Sequence, residues 1–371
     1  MIAPDKFKGS LTAAEVAARV AAGLARGGFA GPTVCLPVAD GGDGTVAAAA
    51  AAGFRPATVQ VHGPAGGTVT AAYALRGGTA VIEAAQACGL TLLPPGRPAP
   101  LTATSRGVGE LILAARAAGA RRIVLGVGGV ATTDGGAGLL QALGARLRDA
   151  AGHELPPGGA ALRELAALDL SGLADLSGVE FLLASDVDNP LLGPAGAAAV
   201  YGPQKGASAA DLPVLEAGLR RWADLAEAGI PGPPLRDAPG AGAAGGLGFA
   251  ALRFLGARMR PGIELLLELA SFRAQLDGAR LVITGEGSLD AQTLRGKAPA
   301  GVARAAGAHD PAVPVVAVAG RCQLTAGELR EAGIAGAYAL TDLEDDLARS
   351  MAEAGPLLEQ LAARIAADWL S

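Results

Sequence analysis

The residues Arg122-Ile-Val-Leu-Gly126, followed by Val127-Gly-Gly-Val-Ala-Thr-Thr-Asp-Gly-Gly-Ala-Gly138, indicate the fold most clearly. The first segment is a short apolar run, typical of a buried strand, and the second is rich in glycine and leads into an apolar, helix-like stretch. We predict a strand over residues 122–126 and a helix over residues 136–147. A strand, a glycine loop and a helix in this order are typical of a parallel α/β sheet.

The same order recurs outward from this stretch toward both ends of the chain. Further strands are predicted at residues 1–3, 33–38, 179–184, 281–284, 313–319 and 337–340. Further helices are predicted at residues 12–25, 43–52, 299–306, 325–331 and 343–365. Ser10 is predicted to cap the first of these helices.

The chain of 371 residues is long for one domain, so we expect two. Residues 1–56 and 279–371 share one strand–helix rhythm. The middle differs, with predicted hairpin strands at residues 58–61 and 69–75, long helices and a loop rich in proline and glycine. We therefore predict an α/β protein in which residues 57–278 form a second domain inserted into a discontinuous parallel-sheet domain.

Composition argues against several classes of protein. The formal net charge is −5 and the 30 basic residues form no stripe, so we expect no nucleic-acid partner. The apolar runs are shorter than the roughly 18 residues of a membrane span. Cys35, Cys88 and Cys322 have no ligand spacing and the histidines are dispersed, so we expect no zinc site and a cytoplasmic location.

Lysine is scarce in this chain. Only Lys6, Lys8, Lys205 and Lys297 occur, and the other basic residues are arginines. Such a chain is expected to keep lysine where a compact ammonium group is needed. All four lie in segments punctuated by glycine or proline, as does Asn189, the only asparagine. Chance placement of so few lysines is the alternative explanation.

Polar, glycine-rich segments follow the predicted strands. In open parallel sheets, ligands bind at the carboxyl ends of the strands. Five such segments, which we expect to line one cleft, are residues 4–10, 39–45, 126–138, 185–190 and 284–290.

Asp40 and Asp43 flank two glycines just before a predicted helix. Glycine amides and a helix N-terminus favour phosphate, and carboxylates beside phosphate require a cation such as Mg²⁺. Simple helix capping is the alternative for Asp43. Residues 128–138 likewise resemble a phosphate cradle, although they lack the Gly-Lys-Ser/Thr of a Walker A loop, and close packing is the alternative.

Charged residues after other predicted strands have the chemistry of phosphoryl transfer. Asp186 is placed to accept a hydroxyl proton or to hold Mg²⁺, and Lys8 to neutralise a phosphate or bind a substrate carboxylate. Glu286 and Asp290 repeat the pattern ahead of Lys297. The alternative for Asp186 is an Asx-turn, and the alternative for Lys8 is a solvated lysine. For Glu286 and Asp290 it is an ordinary charged loop.

The segment Gly240-Ala-Gly-Ala-Ala-Gly245 matches the dinucleotide-binding fingerprint, with Glu264 downstream. That fingerprint requires a preceding strand, whereas residues 231–239 are rich in proline. An NAD-dependent hydroxy-acid oxidoreductase is therefore kept only as the enzymatic alternative.

Together these segments resemble the bacterial glycerate kinase type I family. The resemblance includes Ala3-Pro-Asp-Lys-Phe-Lys-Gly-Ser-Leu-Thr-Ala13 and Tyr201-Gly-Pro-Gln-Lys-Gly-Ala207, and it continues through residues 37–45, 104–112, 128–138, 184–193 and 283–299. It implies a flavodoxin-like domain plus an inserted α/β domain with a helical subdomain. It also implies transfer of the ATP γ-phosphoryl group to D-glycerate with Mg²⁺, with 2-phosphoglycerate as the favoured product. A glycerate-binding protein without turnover is the non-enzymatic alternative.

Within this resemblance, we assign catalytic roles to Asp186 and Lys8. Metal-binding roles are assigned to Asp40, Asp43, Glu286 and Asp290. ATP-binding roles are assigned to Gly128, Gly129, Thr132, Gly135, Gly136 and Lys297. Substrate-binding roles are assigned to Ser10, Ser105, Arg106 and Asn189. The chain departs from the family pattern at Asp43, Thr133 and Asp188, where Glu, Asn and Thr are common.

Overall fold

The computed structural model describes residues 1–294 and 296–371. The strands of this part of the chain are β1 (Ile2–Pro4), β2 (Arg55–His62), β3 (Thr68–Arg76), β4 (Thr79–Glu83), β5 (Arg122–Gly126), β6 (Arg146–Arg148), β7 (Ala167–Asp169), β8 (Glu180–Ala184), β9 (Arg258–Arg260), β10 (Val282–Leu289), β11 (Val315–Cys322) and β12 (Gly336–Ala339). Its α-helices are α1 (Ala13–Arg26), α2 (Thr45–Ala51), α3 (Ala85–Cys88), α4 (Arg106–Ala117), α5 (Ala137–Ala142), α6 (Ala197–Tyr201), α7 (Asp211–Gly229), α8 (Ala243–Phe254), α9 (Gly262–Leu269), α10 (Phe272–Gln275), α11 (Ala291–Leu294), α12 (Ala298–His309), α13 (Ala326–Glu331), α14 (Leu347–Ala352) and α15 (Ala354–Trp369). Short 3₁₀ turns occupy Leu90–Leu92, Gly159–Glu164, Pro203–Lys205 and Leu340–Asp342.

The chain divides into two compact units. Unit one comprises Met1–Asp40, Ala47–Phe54 and Pro261–Ser371, and unit two comprises Gly41–Val46 and Arg55–Arg260. Unit one is therefore discontinuous, and the chain passes through unit two between its parts.

The predicted domain edge at residue 278 differs from this division. The structure assigns α9 and α10 to unit one, because Ile263, Leu267 and Phe272 are buried in the same apolar cluster as Val302 of α12. The helical rhythm of these residues is like that of the middle of the chain, so the sequence pattern alone did not separate them.

Unit one is built on a parallel sheet in the order β1-β10-β11-β12. Residues 34–38 run alongside β1, since Ile2 N donates to Val34 O at 2.8 Å and Val38 N donates to Pro4 O at 2.9 Å. The sequence order across the sheet is then second, first, third, fourth and fifth, which is the flavodoxin-like order. The α/β expectation with a parallel sheet is confirmed.

Helices cover both faces of this sheet. Along β11, Val316 and Val318 pack with α1 and α15, whereas Ala317 and Ala319 pack with α12. Successive residues of a strand point to opposite faces, so this alternation buries the strand on both sides, as parallel sheets require. The two faces of β11 are therefore closed to ligands, which leaves the ends of the strands accessible.

Unit two is built on a mixed sheet in the order β2-β3-β4-β5-β8-β9. β2 and β3 form the predicted antiparallel hairpin, and β4, β5, β8 and β9 are parallel to one another. The carboxyl ends of β4, β5 and β8 consequently meet at one edge, at Glu83, Gly126 and Ala184. β5 has the bounds predicted from the sequence.

The first helix is capped by Thr12, not by Ser10 as predicted. The Thr12 side chain accepts from Glu15 N, and the Glu15 carboxylate accepts from Thr12 N at 2.8 Å. This reciprocal pair needs Glu three residues after the cap, and Ser10 has alanine at that distance. Ser10 Oγ donates instead to Phe7 O at 3.1 Å.

Two other expectations about elements were wrong, and one strand was missed. The helix predicted over residues 136–147 ends at Ala142, because Gly144 takes a left-handed φ of 107°. The helix predicted over residues 343–365 is two helices, α14 and α15, separated at Glu353. Finally, β4 was not predicted at all.

Candidate functional site

Three carboxylates of unit one lie at or near the level of its sheet where β1 ends. Asp5 follows β1, Asp40 follows residues 34–38, and Glu286 lies one residue beyond the pairing of β1 with β10. Burial raises the pKa of Asp5 to about 6, with the Asp40 charge adding to the rise and Lys6 opposing it. The sequence analysis did not single out Asp5 as a site residue.

Glu286 is the second buried carboxylate of this group whose pKa is raised. Burial raises its pKa to about 7, and the charges of Asp5 and Asp40 add to the rise. The Thr293 hydroxyl, which donates to Glu286 Oε1 at 2.5 Å, and the Lys297 charge oppose it. The structure therefore brings Asp40, Glu286 and Lys297, three residues predicted for the site, into one electrostatic cluster.

Glu286→Gln is expected to stabilise the metal-free protein more at about pH 8 than at about pH 5. In the folded protein Glu286 keeps its proton up to about pH 7, whereas in the unfolded chain it loses the proton above its ordinary pKa of 4.5. The free energy of unfolding therefore falls as pH rises from 4.5 to about 7. The variant's gain in unfolding free energy should grow by about 2 kcal/mol across that range, since one pKa unit is worth about 1.4 kcal/mol.

Urea unfolding in the presence of a chelator measures this difference. The exposed Glu331→Gln is the matched control, because it makes the same chemical change on the surface, where no buried carboxylate is removed. An equal stability difference for Glu286→Gln at both pH values would show that the buried carboxylate does not carry the expected penalty.

The remaining candidates of unit one lie in loops near this cluster. Lys8 is exposed, and Ser10 is half-buried in the turn before α1. Asp290 Oδ1 accepts from Gln292 N at 2.8 Å, which is the bond of a helix-start turn before α11. Lys6 Nζ lies 3.6 Å from Asp5 Oδ1.

In unit two, residues 41–44 lie directly on the ends of β5 and β8. Gly128 N donates to Gly41 O at 3.2 Å. A Cβ on Gly41, whose φ is 94°, would lie 2.7 Å from Ala184 O, and a Cβ on Gly128 would lie 2.6 Å from Gly42 Cα. Only glycine permits this approach of one backbone to another.

The Asp43 carboxylate lies against the glycine loop that follows β5. A Cβ built on Gly129 would lie 2.3 Å from Asp43 Oδ1. Gly129 is exposed and Gly128 is half-buried, so this part of the loop is open to a ligand. Two segments that were predicted separately, residues 39–45 and 126–138, thus contact each other in unit two.

Gly129→Ala is expected to lower kcat/KM for ATP by at least about tenfold, because moving a group that positions the substrate by a fraction of an ångström reduces the rate by that much or more. The new methyl group would force the Asp43 carboxylate aside. The matched control is Gly119→Ala, since Gly119 has a similar left-handed φ of 91° but no atom within 4 Å of its Cβ position. Both variants carry similar backbone strain, so equal kcat/KM values for the two would contradict the role of the Asp43 contact.

Buried polar groups hold the rest of this loop. Asp134 is 1 % exposed and accepts hydrogen bonds from Ser105 N, Ser105 Oγ, Gly136 N and Gly138 N. Ser105 Oγ in turn accepts from Leu139 N at 3.0 Å. The structure therefore places Ser105, predicted to bind substrate, inside this buried network.

Thr132, Gly135 and Gly136 are also buried rather than open to solvent. Thr132 Oγ1 donates to Ala103 O at 2.9 Å, and a Cβ on Gly135 or Gly136 would overlap Trp222 or Ala250. Of the six residues predicted to bind ATP, these three thus contact the interior of unit two.

Lys205 is a buried ammonium group beneath the same loop. It is 3 % exposed and its Nζ donates to Thr132 O at 2.6 Å. Burial lowers its pKa to about 8, and the negative charge of the nearby Asp134 opposes that shift. The scarcity of lysine singled out this residue, although no role was assigned to it.

Residues 185–190, which follow β8 and include the predicted proton acceptor, are partly exposed. Asp186 and Asp188 are exposed, and Ser185 N donates to Arg260 O at 3.2 Å. Asn189 Nδ2 donates to Ala195 O at 2.8 Å, and its Oδ1 accepts from the Tyr201 hydroxyl at 2.5 Å. The Asn189 side chain is thus engaged within unit two.

Arg106, at the start of α4, is half-exposed. Its Nε lies 3.4 Å from Glu110 Oε1, which also contacts His62 Nδ1 at 2.6 Å. β2 and β4 run in the same direction, so His62 at the end of β2 lies at the same edge of the unit-two sheet as Glu83 at the end of β4. Arg106 lies at this edge as well, because it shares the Glu110 carboxylate with His62.

The segment 240–245 has no dinucleotide-binding geometry. The element before it is α7, whereas the fingerprint requires a strand. Ala244, Gly245 and Gly246 have left-handed φ values of 54°, 71° and 89°, and Gly245 O accepts from Gly135 N at 3.0 Å. This segment supports the residue 132–136 loop, so the oxidoreductase alternative loses its basis.

Sequence reasoning missed one buried acid at this edge altogether. Glu83 ends β4, is 2 % exposed and accepts from the backbone amides of Gly44 and Val46. Burial raises its pKa, and the Asp43 charge contributes to the rise. The signal in the sequence was an acid directly after the apolar run at residues 80–82.

Two surveys of the described residues gave negative results. Across residues 1–294 and 296–371, no group of three or more His, Cys, Asp or Glu side chains is arranged to hold a metal ion. Nor does any helix in those ranges combine the length and apolar character of a membrane span.

Comparison with known proteins gives consistent matches. The profile of the "Glycerate kinase family" matches residues 1–370. Glycerate kinase of Bacillus subtilis is 46 % identical over 99 % of this chain and 97 % of that protein. Glycerate 2-kinase of Escherichia coli is 44 % identical over 90 % of this chain and 88 % of that protein. A crystal structure from Salmonella typhimurium LT2, of a protein proposed to be glycerate kinase 2, superposes with a TM-score of 0.83 at 43 % identity, covering 99 % of this chain and 96 % of that one.

Proposed function

The chain belongs to the glycerate kinase family, and we propose that it transfers the γ-phosphoryl group of ATP to a hydroxyl group of D-glycerate, giving ADP and 2-phosphoglycerate. The observation that carries the proposal is the contact of the Asp43 carboxylate with the exposed Gly129 of the residue 128–138 loop. Phosphoryl transfer depends mainly on positioning and charge neutralisation, and this contact combines an anion-binding backbone with a cation-binding carboxylate.

The phosphate-binding role belongs, in this proposal, to Gly128 and Gly129. Both expose backbone at the carboxyl end of β5, where ligands bind in parallel sheets. Thr132, Gly135 and Gly136 are buried, so we assign them to shaping the loop. Lys297 supplies an ammonium group to the anionic cluster around Glu286.

The carboxylates fit a magnesium ion that arrives with ATP. Mg²⁺ usually takes one or two protein carboxylates, with phosphates and water as its other ligands, rather than an all-protein cage. In unit one, burial raises the pKa of Asp5 and of Glu286, and repulsion from neighbouring carboxylates, Asp40 among them, adds to both shifts. A cation would relieve that repulsion. Asp43 in unit two and Asp290 in unit one are the other carboxylates proposed to bind metal. When bound, the ion would neutralise charge on the phosphates.

Asp186 is proposed to accept the proton of the attacking hydroxyl group. It is exposed, it follows the buried strand β8, and a carboxylate there is accessible to substrate. Lys8 and Arg106 are cationic and at least half-exposed, so we assign them to the transferring phosphate and to the glycerate carboxylate. Ser10, Ser105 and Asn189 are assigned to positioning the substrate side of the site.

Glycerate-dependent release of ADP tests the proposal. Purified protein with ATP and Mg²⁺ should release ADP when D-glycerate is added. Asp186→Asn prepared identically should release it at least about 100-fold more slowly, which excludes a contaminating kinase. Tight glycerate binding without ADP release would favour the non-enzymatic alternative. The cytoplasmic location expected from the three dispersed cysteines remains a prediction.

A further inference from the structure

Glu83 is a buried acid for which no role has yet been given. It is the last residue of β4, its backbone pairs with Gly126 of β5, and its side chain is 2 % exposed. Oε2 accepts from Gly44 N and from Val46 N, both at 3.1 Å, and Gln86 Nε2 lies 3.3 Å from Oε1. A buried carboxylate is costly unless such hydrogen bonds compensate it, so its presence here calls for a function.

The two amides that Glu83 binds lie in residues 41–46, the segment that carries Asp43 and ends in the first turn of α2. Ordering residues 41–44 costs backbone entropy, because Gly41, Gly42 and Gly44 lack side chains and glycine has the largest backbone entropy to lose. Gly44 also takes a left-handed φ of 93°. Within the loop itself, Thr45 Oγ1 donates to Gly42 O at 2.6 Å.

Hydrogen bonds to Glu83 and to Gly128 hold the backbone on the two sides of Asp43 in the sequence. The bonds to Glu83 hold Gly44, directly after Asp43, and Val46 two residues further on, and both are fixed to the end of β4. On the other side, Gly128 N holds Gly41 at the end of β5. Asp43 therefore lies between Gly41 and Gly44, whose backbones are both hydrogen-bonded, and its carboxylate lies against Gly129.

We propose that Glu83 is a positioning residue of the kinase reaction, which acts by fixing the residue 41–46 loop so that the Asp43 carboxylate stays beside the residue 128–129 backbone. The effect on the reaction rests on the proposed function, whereas the anchoring of the loop does not. Glu83 itself has its Oε2 occupied by backbone amides and need not contact the nucleotide.

Substitutions at Glu83 distinguish an anchor, which needs an acceptor atom at the right distance, from a group that acts only through its charge. A glutamine in place of Glu83 keeps a carbonyl oxygen with two lone pairs and can accept from both amides. An aspartate keeps the charge, but its shorter side chain does not reach both amides. Function through anchoring therefore predicts that glutamine preserves the wild-type behaviour and that aspartate does not.

The experiment compares Glu83→Ala, Glu83→Asp and Glu83→Gln with the wild type. Gln86→Ala is the matched control, since it removes the contact to Oε1 and leaves the loop amides bonded. Hydrogen–deuterium exchange of peptides covering residues 41–46 reports the anchor, and KM for ATP at saturating Mg²⁺ and D-glycerate reports its effect on the reaction.

We expect exchange of the residue 41–46 amides to rise at least about tenfold in Glu83→Ala and Glu83→Asp, because a local hydrogen-bonded unit has been released. KM for ATP should rise by about tenfold or more in the same variants. Glu83→Gln and Gln86→Ala should stay within about threefold of wild type on both readouts. A merely structural role would lower the active fraction and hence kcat, without moving KM.

The outcomes separate the anchor from the proposed function. Wild-type exchange of the loop in Glu83→Asp, or in Glu83→Ala if that variant folds, would overturn the anchor. Altered exchange with an unchanged KM for ATP would overturn the positioning role. Absence of any glycerate-dependent ADP release in the wild type would refute the proposed function, and the exchange data would still decide whether Glu83 holds the loop.

Discussion

Asp186→Asn is expected to lower turnover by at least about 100-fold, the lower range for loss of a general acid or base, while leaving the fold intact. The substitution is nearly isosteric and the side chain is exposed, so little packing is disturbed. It removes the negative charge that would accept the hydroxyl proton or bind Mg²⁺. An Asx-turn would tolerate asparagine, because asparagine makes the same local hydrogen bond.

The matched control for this prediction is Asp188→Asn. Asp188 is also exposed, lies two residues further along the same loop and undergoes the same chemical change. Steady-state turnover and melting temperature should be measured for both variants. Wild-type turnover in Asp186→Asn would return this residue to a structural role, and equal losses in both variants would point to the charge of the loop as a whole.

Asp134→Ala is expected to give the largest loss of stability, at least about 4 kcal/mol, since each buried donor left without an acceptor costs about 1–3 kcal/mol. The carboxylate accepts from Ser105 N at 2.8 Å, Ser105 Oγ at 2.9 Å, Gly136 N at 3.0 Å and Gly138 N at 3.2 Å. Alanine leaves all of these donors buried. A loss of that size is a large part of the 5–15 kcal/mol by which domains are typically stable.

Asp175→Ala is the matched control for the Asp134 variant. Asp175 also accepts from a backbone amide, that of Ser177 at 2.8 Å, but it is exposed, and water can replace the lost acceptor. Its cost should be about 1 kcal/mol or less. Denaturant unfolding of both variants gives the comparison, and an Asp134→Ala protein as stable as Asp175→Ala would contradict the importance of the buried network.

The sequence predicted those elements whose signals are local. The apolar run at β5, bounded by glycine, gave the correct bounds, and the β2–β3 hairpin followed from its alternating residues. Two errors had a visible signal that was overlooked. Gly144 marked the end of α5, and Pro356 in the first turn of α15 marked the break after α14.

β4 was missed for a different reason. Its residues Thr79-Ala-Val-Ile-Glu83 are short and nearly all buried, so they lack the alternation that identifies a half-exposed strand. Because the strand was not recognised, Glu83 was not seen as an acid at a strand end. The buried network around Asp134 could not be predicted either, since Ser105 is 29 residues away and the pairing depends on tertiary packing.

Phosphorus NMR of the reaction product tests the central claim most directly. With ATP, Mg²⁺ and D-glycerate, we predict a new phosphomonoester signal split into a doublet by the single hydrogen on carbon 2, together with ADP. Without glycerate neither should accumulate. A triplet would place the phosphate on carbon 3 and contradict the assigned position. ADP formation that does not depend on glycerate, or no phosphomonoester at all, would contradict the assignment of this protein as a glycerate kinase.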